Sequence, residues 1–343
     1  MSQEPPIGKR RRVESVGAES TGVGISILLP FLLVGAFLLV AATIALYAVM
    51  SGGSGANHGS TQSARAGVAA SESTKLDKTF EETVGLLVPI LRVTAEGEAV
   101  EISRTGSIGS GFLVSKTGHV LTNHHVIESY RESSAREGEY REALKAVLGI
   151  ADIKVEAVVL VFIAGKEYDA HLVRGIFDTE MDYALLKIRP SDPGVTFPYL
   201  RLHPNSRTDK PMATRLDRVM ALGYPGASFI EFESDSLEAI TEKAIRENAT
   251  KMREKLPRIY FEYNLTSGVV SRITQEGPKG AEVIMHDAVI SGGNSGGPLV
   301  DLEGNVIGVN TWAMSESGIT LSGYGSAVSI KSILPHIARY LEE

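Results

Sequence analysis

From Val88 onward, short apolar runs alternate with turn residues along the chain. Val158–Ile163 and Val283–Met285 are rich in β-branched and aliphatic residues, and Val120–Leu121 and Leu299–Val300 are shorter runs of the same kind. Many short strands separated by glycine-rich turns are typical of a β-sandwich or a β-barrel. The pattern therefore predicts an all-β domain.

Helical spacing predicts a few helices around these strands. A short helix is expected to start near Leu76, with Phe80, Val84 and Leu87 on one face. A final helix is expected over Ser332–Leu341.

Two longer segments read as helical inserts. Residues 128–150 are charged and carry apolar positions at partly helical spacing. Residues 228–258 contain an amphipathic pattern that follows a plausible capping box, Asp235 with Glu238. This second insert is either a surface helix packed on its own barrel or a segment that gates a neighbouring active site.

The first 50 residues predict a membrane anchor. Lys9–Arg12 is a basic run, and residues 22–50 are apolar and uncharged. A bilayer core is spanned by about 20 such residues, whereas the apolar region of a cleaved signal peptide is typically about 7–15. We therefore expect an uncleaved transmembrane helix over 22–50 that contacts the lipid bilayer, rather than a cleaved signal.

Charge asymmetry then sets the expected topology. Basic residues before the span keep residues 1–21 in the cytoplasm as a basic tail. Residues 51–75 are rich in Gly, Ser and Ala and predict a flexible linker. Residues 76–343 would form the folded domain on the periplasmic or extracytoplasmic side of the inner (plasma) membrane.

Composition removes several classes of function. The 343 residues are 43% hydrophobic, which suffices for one substantial domain with accessory segments. The net charge of −7 and the lack of a basic stripe argue against a nucleic-acid partner. The chain has no cysteine, so disulfides and thiolate metal sites are impossible. We expect no metal and no other cofactor.

The glycine-rich stretch Gly293–Leu299 carries the strongest chemical signal. It holds Ser295 between small residues and runs into an apolar strand. A nucleophilic serine needs an unobstructed hydroxyl and converging backbone N–H groups that stabilise an oxyanion. The stretch alone is also compatible with an ordinary surface turn, because Gly, Asn and Ser are turn residues.

A serine nucleophile needs a base and an orienting acid. His124 and His125 follow an apolar strand and precede an apolar pair, which would hold a base rigidly. Adjacent histidines point in different directions, so we do not expect them to bind a metal together. Asp182 leads into another apolar strand, and a partly buried carboxylate there would need a hydrogen-bonded partner.

These motifs occur in an order that resembles the HtrA (Deg) family of chymotrypsin-like serine proteases. The resemblance extends over roughly residues 80–335. The matching segments are Gly109–Val114, Thr122–Val126, Asp182–Leu186, Ala221–Gly226, Thr266–Ser271, Asp287–Ala288, Gly293–Leu299, Gly304–Thr311 and Gly323–Val328.

The resemblance implies a fold and a set of roles. It implies two six-stranded antiparallel β-barrels, with His125 and Asp182 in the first barrel and Ser295 in the second. His125 would be the base, Asp182 the orienting acid and Ser295 the nucleophile. The backbone N–H groups of Gly293 and Ser295 would form the oxyanion hole.

The resemblance to the HtrA family also implies an uncharged substrate pocket. Its members would be Val289 and Ile290 on the floor, with Thr311, Trp312 and Gly323 in the walls. An apolar pocket cannot pair a buried Lys or Arg side chain. We therefore expect cleavage after small or medium apolar residues such as Val, Ala, Ile or Leu.

The leading hypothesis is a membrane-anchored serine endopeptidase that acts on proteins or peptides in envelope quality control or regulated proteolysis. The alternative is an inactive or latent protease-fold scaffold or binding module at the membrane. Family members typically carry PDZ domains after the protease domain, and we expect none here. The resemblance also implies a homo-oligomer, a trimer, but its contacts are not identifiable in the sequence.

Overall fold

The structure is a computed structural model, and it describes residues 72–95, 98–103, 108–190, 194–225, 256, 258–311 and 325–341. The predicted tail 1–21, the predicted transmembrane helix 22–50, residues 51–71 of the linker and nearly all of the insert 228–258 lie outside these ranges. Within the described residues, no helix has both the length and the apolar character needed to cross a bilayer. The predicted anchor therefore stays a prediction.

The first half of the domain forms an antiparallel barrel. Its strands run in the order β1, β3, β4, β7, β6 and β5, and pairing of β5 with β1 closes the ring, while β2 pairs with β1 outside it. The strands are β1 Val84–Ala95, β2 Glu98–Ser103, β3 Gly109–Leu113, β4 His119–Thr122, β5 Ile153–Ile163, β6 Lys166–Asp178 and β7 Tyr183–Arg189.

The second half forms a second closed antiparallel barrel of six strands, in the order β10, β13, β12, β11, β8 and β9. The strands are β8 Arg218–Gly223, β9 Asn264–Thr274, β10 Val283–His286, β11 Pro298–Val300, β12 Val306–Thr311 and β13 Gly325–Ser329. The predicted all-β fold with two six-stranded barrels is confirmed.

Burial explains why the strands read as nearly continuous apolar runs. Ten residues of β1 pair with β5, while its other edge is divided between β3 and β2. Most of β1 and β5 is therefore buried, and only occasional positions such as Arg92 reach the surface. The predicted strand Val158–Ile163 is the buried second half of β5.

The helices match the predictions in kind but differ at their ends. Helix α1 covers residues 72–83, so residues 72–75 are helical although we assigned them to the linker. Val84 and Leu87 belong to β1 rather than to a shared helical face, because pairing with β3 starts at Val84. Helix α4 spans Ile330–Ile337, two residues earlier than expected, and begins where Ser329 caps it.

The insert 128–150 is helical, as predicted. It forms helix α2, Glu128–Ala135, and helix α3, Glu137–Leu148. Helix α3 ends at Gly149, which adopts a left-handed conformation with φ 68° that glycine accepts without strain. The two helices directly follow the His124–His125 motif, so they are placed to influence it.

Candidate active site

His125 and Asp182 form a hydrogen-bonded pair at the end of the first barrel. His125 opens a 3₁₀ turn just after β4, and Asp182 immediately precedes β7. The Nδ1 atom of His125 lies 2.8 Å from Oδ2 of Asp182, and the His125 backbone N–H donates to Oδ1 at 3.0 Å. Because β4 and β7 pair side by side, their ends bring the two residues together.

The second barrel also contributes to this pair. Thr311, at the end of β12, donates its hydroxyl to Oδ2 of Asp182 at 2.9 Å. The Asp182 carboxylate thus accepts three hydrogen bonds, one of them across the barrel interface. We expected Thr311 in a pocket wall, but its hydroxyl binds the carboxylate instead.

Asp182 is held in a strained backbone conformation. Its φ is +53°, a left-handed value that costs a non-glycine residue about 1–2 kcal/mol. The Nδ2 atom of Asn123 donates to the Asp182 backbone carbonyl at 2.7 Å and fixes the turn. Strain of this kind persists only where surrounding contacts over-determine the conformation.

Ser295 lies in the turn just before β11 of the second barrel, and the residue is only 2% exposed. Its Oγ has no hydrogen-bond partner among the described residues, so no bond joins it to His125 here. Its backbone carbonyl accepts from the Ser110 N–H at 2.8 Å. The serine turn is therefore docked against the first barrel, which carries His125.

The predicted oxyanion donors are not both free. Residues Gly292–Asn294 form a 3₁₀ turn, and the Ser295 N–H donates to the Gly292 carbonyl at 3.2 Å. One of the two predicted donors is therefore engaged in this arrangement, and the assignment of Gly293 and Ser295 to the oxyanion hole stays a prediction. The donor is engaged because the tight turn points the Gly292 carbonyl at it.

Residues outside the predicted site hold the serine turn in place. The Ser110 hydroxyl donates to the Gly293 carbonyl at 2.7 Å and accepts from the Tyr224 N–H at 2.9 Å. The Gly296 N–H donates to the Asn310 carbonyl at 2.9 Å. Sequence reasoning gave no role to Ser110, although it lies in a segment that resembles the HtrA family.

The predicted pocket residues that the structure describes differ in exposure. Val289 is 70% exposed and does not form a closed floor, because the chain turns the preceding Ala288 into the core instead. Ile290 is half-buried and packs against the core of the second barrel. Trp312 and Gly323 lie outside the described residues.

His124 is separated from the pair that its neighbour forms. Its side chain is buried, at 6% exposure, and its ring contacts Arg131 of α2 rather than Asp182. This agrees with the expectation that adjacent histidines point in different directions.

Two closed antiparallel barrels with a His–Asp pair from one and a glycine-flanked serine from the other define the chymotrypsin-like class of serine hydrolases. A family model described as "Trypsin-like peptidase domain" matches residues 109–309. That match covers more than half of the chain, and the chain belongs to this family.

Curated relatives point in the same direction. A "Probable periplasmic serine endoprotease DegP-like" of Hahella chejuensis is 28% identical over 214 residues, which cover 62% of this chain and 31% of the relative. "Protease Do-like 1, chloroplastic" of Arabidopsis thaliana is 27% identical over 66% of this chain and 37% of its own length. Human "Serine protease HTRA3" is 30% identical over 60% of this chain and 33% of its own length. The match thus spans about a third of each relative.

Substitution of Gly296 tests how tightly the serine turn packs against the first barrel. Its φ is +84°, and a Cβ there would lie 2.2 Å from the Ser110 carbonyl oxygen and 2.3 Å from Thr122 Oγ1. Gly296→Ala is therefore expected to lower the free energy of unfolding by roughly 3 kcal/mol or more in urea denaturation. Gly175→Ala is the control, because φ is +74° there but no atom lies within 4 Å. Gly175→Ala should lower the free energy of unfolding by only about 1 kcal/mol. Equal losses in the two variants would contradict tight docking of the serine turn.

Proposed function

We propose that this protein is a serine endopeptidase that hydrolyses peptide bonds through His125, Asp182 and Ser295. The observation that carries the proposal is the hydrogen-bonded His125–Asp182 pair, which is also bonded to Thr311 of the barrel that holds Ser295. Family membership and the names of the relatives support the same activity.

The proposed chemistry follows from these contacts. An Asp182 carboxylate that accepts from Nδ1 fixes the His125 tautomer and leaves Nε2 free to act as a base. His125 removes the Ser295 proton as the hydroxyl attacks the substrate carbonyl, and later donates that proton to the leaving amine. Backbone N–H groups must stabilise the oxyanion of the tetrahedral intermediate.

The resting arrangement needs one rearrangement before turnover. The Ser295 N–H is engaged by the Gly292 carbonyl, so it cannot also bind an oxyanion. The Gly292 carbonyl has to rotate away when substrate binds or when another contact selects the active turn. Because a shift of about 1.4 kcal/mol changes a two-state ratio tenfold, modest contacts suffice to select it.

We further propose that the enzyme acts outside the cytoplasm, anchored to the membrane through residues 22–50, in envelope quality control or regulated proteolysis. The apolar and uncharged composition of that span supports the anchor. The word "periplasmic" in the names of bacterial relatives supports the compartment.

A latent or non-catalytic scaffold is the second candidate function. The engaged Ser295 N–H and the unpartnered Ser295 hydroxyl are the observations that favour it. A scaffold would bind peptide without turnover under all conditions, and this distinguishes it from an enzyme whose turn rearranges.

Substitutions of the proposed triad test the enzymatic proposal. Ser295→Ala and His125→Ala should each reduce casein or peptide cleavage by roughly 10⁴-fold or more while the protein remains folded. His124→Ala is the matched control, since its ring does not contact Asp182, and it should retain much more activity than His125→Ala. If His124→Ala abolished cleavage while His125→Ala kept most of it, the assignment of His125 as the base would be wrong.

The preference for uncharged P1 residues is proposed separately. Val289 and Ile290, which the family resemblance places on the pocket floor, carry no charge that could pair with a Lys or Arg side chain. A peptide library should therefore show cleavage after small or medium apolar residues such as Val, Ala, Ile or Leu. A dominant Arg or Lys at P1 would contradict this proposal.

A further inference from the structure

Arg131 of helix α2 contacts the histidine that precedes the proposed base. Its Nη1 atom lies 2.5 Å from Nε2 of His124. Its guanidinium carbon also lies 4.0 Å from the ring centroid of Phe177, near the end of β6. The His124 ring stacks on the same phenylalanine with centroids 5.5 Å apart and planes at 26°. We call these three residues the α2 brace.

The brace joins the two chain segments that carry the His125–Asp182 pair. His124 is the residue before His125, and its position sets where the 3₁₀ turn begins. Phe177 precedes Asp178, whose carboxylate accepts from the N–H groups of Glu180 and Met181 and shapes the turn that ends at Asp182. Arg131 thus contacts the residue that precedes His125 and a strand residue that leads into the turn ending at Asp182.

The brace requires an uncharged His124. A guanidinium can only donate, so Nε2 of His124 must accept and its proton must lie on Nδ1. Burial lowers the pKa of His124, and Arg131 lowers it further, with a smaller contribution from His125. The carboxylates of Asp182 and Glu128 raise it only in part. Protonation of His124 would remove the acceptor and place two positive charges in contact.

We propose that Arg131 is a positioning residue for the proposed base His125, and that it acts through His124 and Phe177. This inference rests on the proposed function. It assigns the insert α2–α3 a role in setting the distance and angle between His125 and Asp182. Small displacements of a catalytic group cost rate strongly, whereas they leave ground-state substrate contacts nearly intact.

The first test separates catalytic rate from binding. Arg131→Met keeps the apolar stem but removes the donor, and it should lower kcat on a peptide substrate about tenfold or more with KM within about twofold. Arg131→Lys restores a donor and a charge and should recover part of that loss. Arg141→Met is the matched control, because Arg141 is an exposed residue of α3 that pairs with Glu142 at the surface.

The second test uses the dependence of kcat on pH. In the wild type, protonation of His124 removes the acceptor for Arg131, so kcat should show an additional proton dependence at the acid end of the profile. His124→Gln supplies an amide oxygen that accepts from Arg131 and does not titrate. It should keep more activity than Arg131→Met at pH 8 and show an acid limb with the slope of one proton.

The third test does not depend on turnover. In Ser295→Ala protein, NMR titration of the His124 ring should give a higher pKa when Arg131→Met is added, and the Arg141→Met change should leave it unaltered. Wild-type activity that survives Ser295→Ala would overturn the proposed function but leave this titration informative. The brace is refuted if Arg131→Met retains wild-type kcat, if it loses activity only in proportion to unfolded protein, or if the His124 pKa does not rise.

Discussion

The arrangement of the proposed active site depends on the hydrogen bonds that the Asp182 carboxylate accepts. This carboxylate accepts from the backbone and the ring of His125 and from the hydroxyl of Thr311, which belongs to the other barrel. A carboxylate with three donors is fixed in direction, and hydrogen bonds to a charged acceptor are among the stronger ones in proteins. The left-handed φ of Asp182 shows that the surrounding contacts outweigh a local conformational preference. The same junction therefore aligns an imidazole and connects the barrels.

The serine turn is tightly docked but not arranged for turnover. Contacts from Ser110 and Asn310 hold it between strands β3 and β12, and the positive φ at Gly296 allows the close approach to the first barrel. Within that frame, the Gly292 carbonyl engages the Ser295 N–H, and a local rotation of one peptide unit would release it. Contacts on both sides thus hold the turn as a whole, whereas the proposed change to an active arrangement involves one peptide unit.

Sequence reasoning predicted the all-β class from local signals, whereas the resemblance to the HtrA family supplied the two six-stranded barrels and the roles proposed for the site residues. Runs of β-branched and aliphatic residues mark β5 and β10, and a serine in a glycine-rich turn is visible in the sequence itself. Sequence reasoning could not predict that Thr311 binds Asp182, because that contact joins residues 129 positions apart and depends on how two barrels dock. It also placed Val289 on a pocket floor, although the exposure of that side chain depends on which face the neighbouring Ala288 buries.

The direction of a peptide carbonyl is likewise invisible in a sequence. Gly292 and Gly293 tolerate many backbone angles, so the residues alone cannot distinguish a free Ser295 N–H from an engaged one. The role of Arg131 was missed for a different reason. The charged insert 128–150 has the composition of a surface helix pair, and only the packed structure shows one of its arginines against the buried ring of His124.

Mass-spectrometric mapping of a fluorophosphonate adduct on the folded protein tests the central claim most directly. The reagent reacts with a serine only when a base activates the hydroxyl. The account predicts a single adduct, on the peptide that contains Ser295, and labelling at least about 100-fold slower in Asp182→Asn, which no longer holds the His125 tautomer. An absent adduct, an adduct spread over other serines, or equal labelling of Asp182→Asn would contradict it.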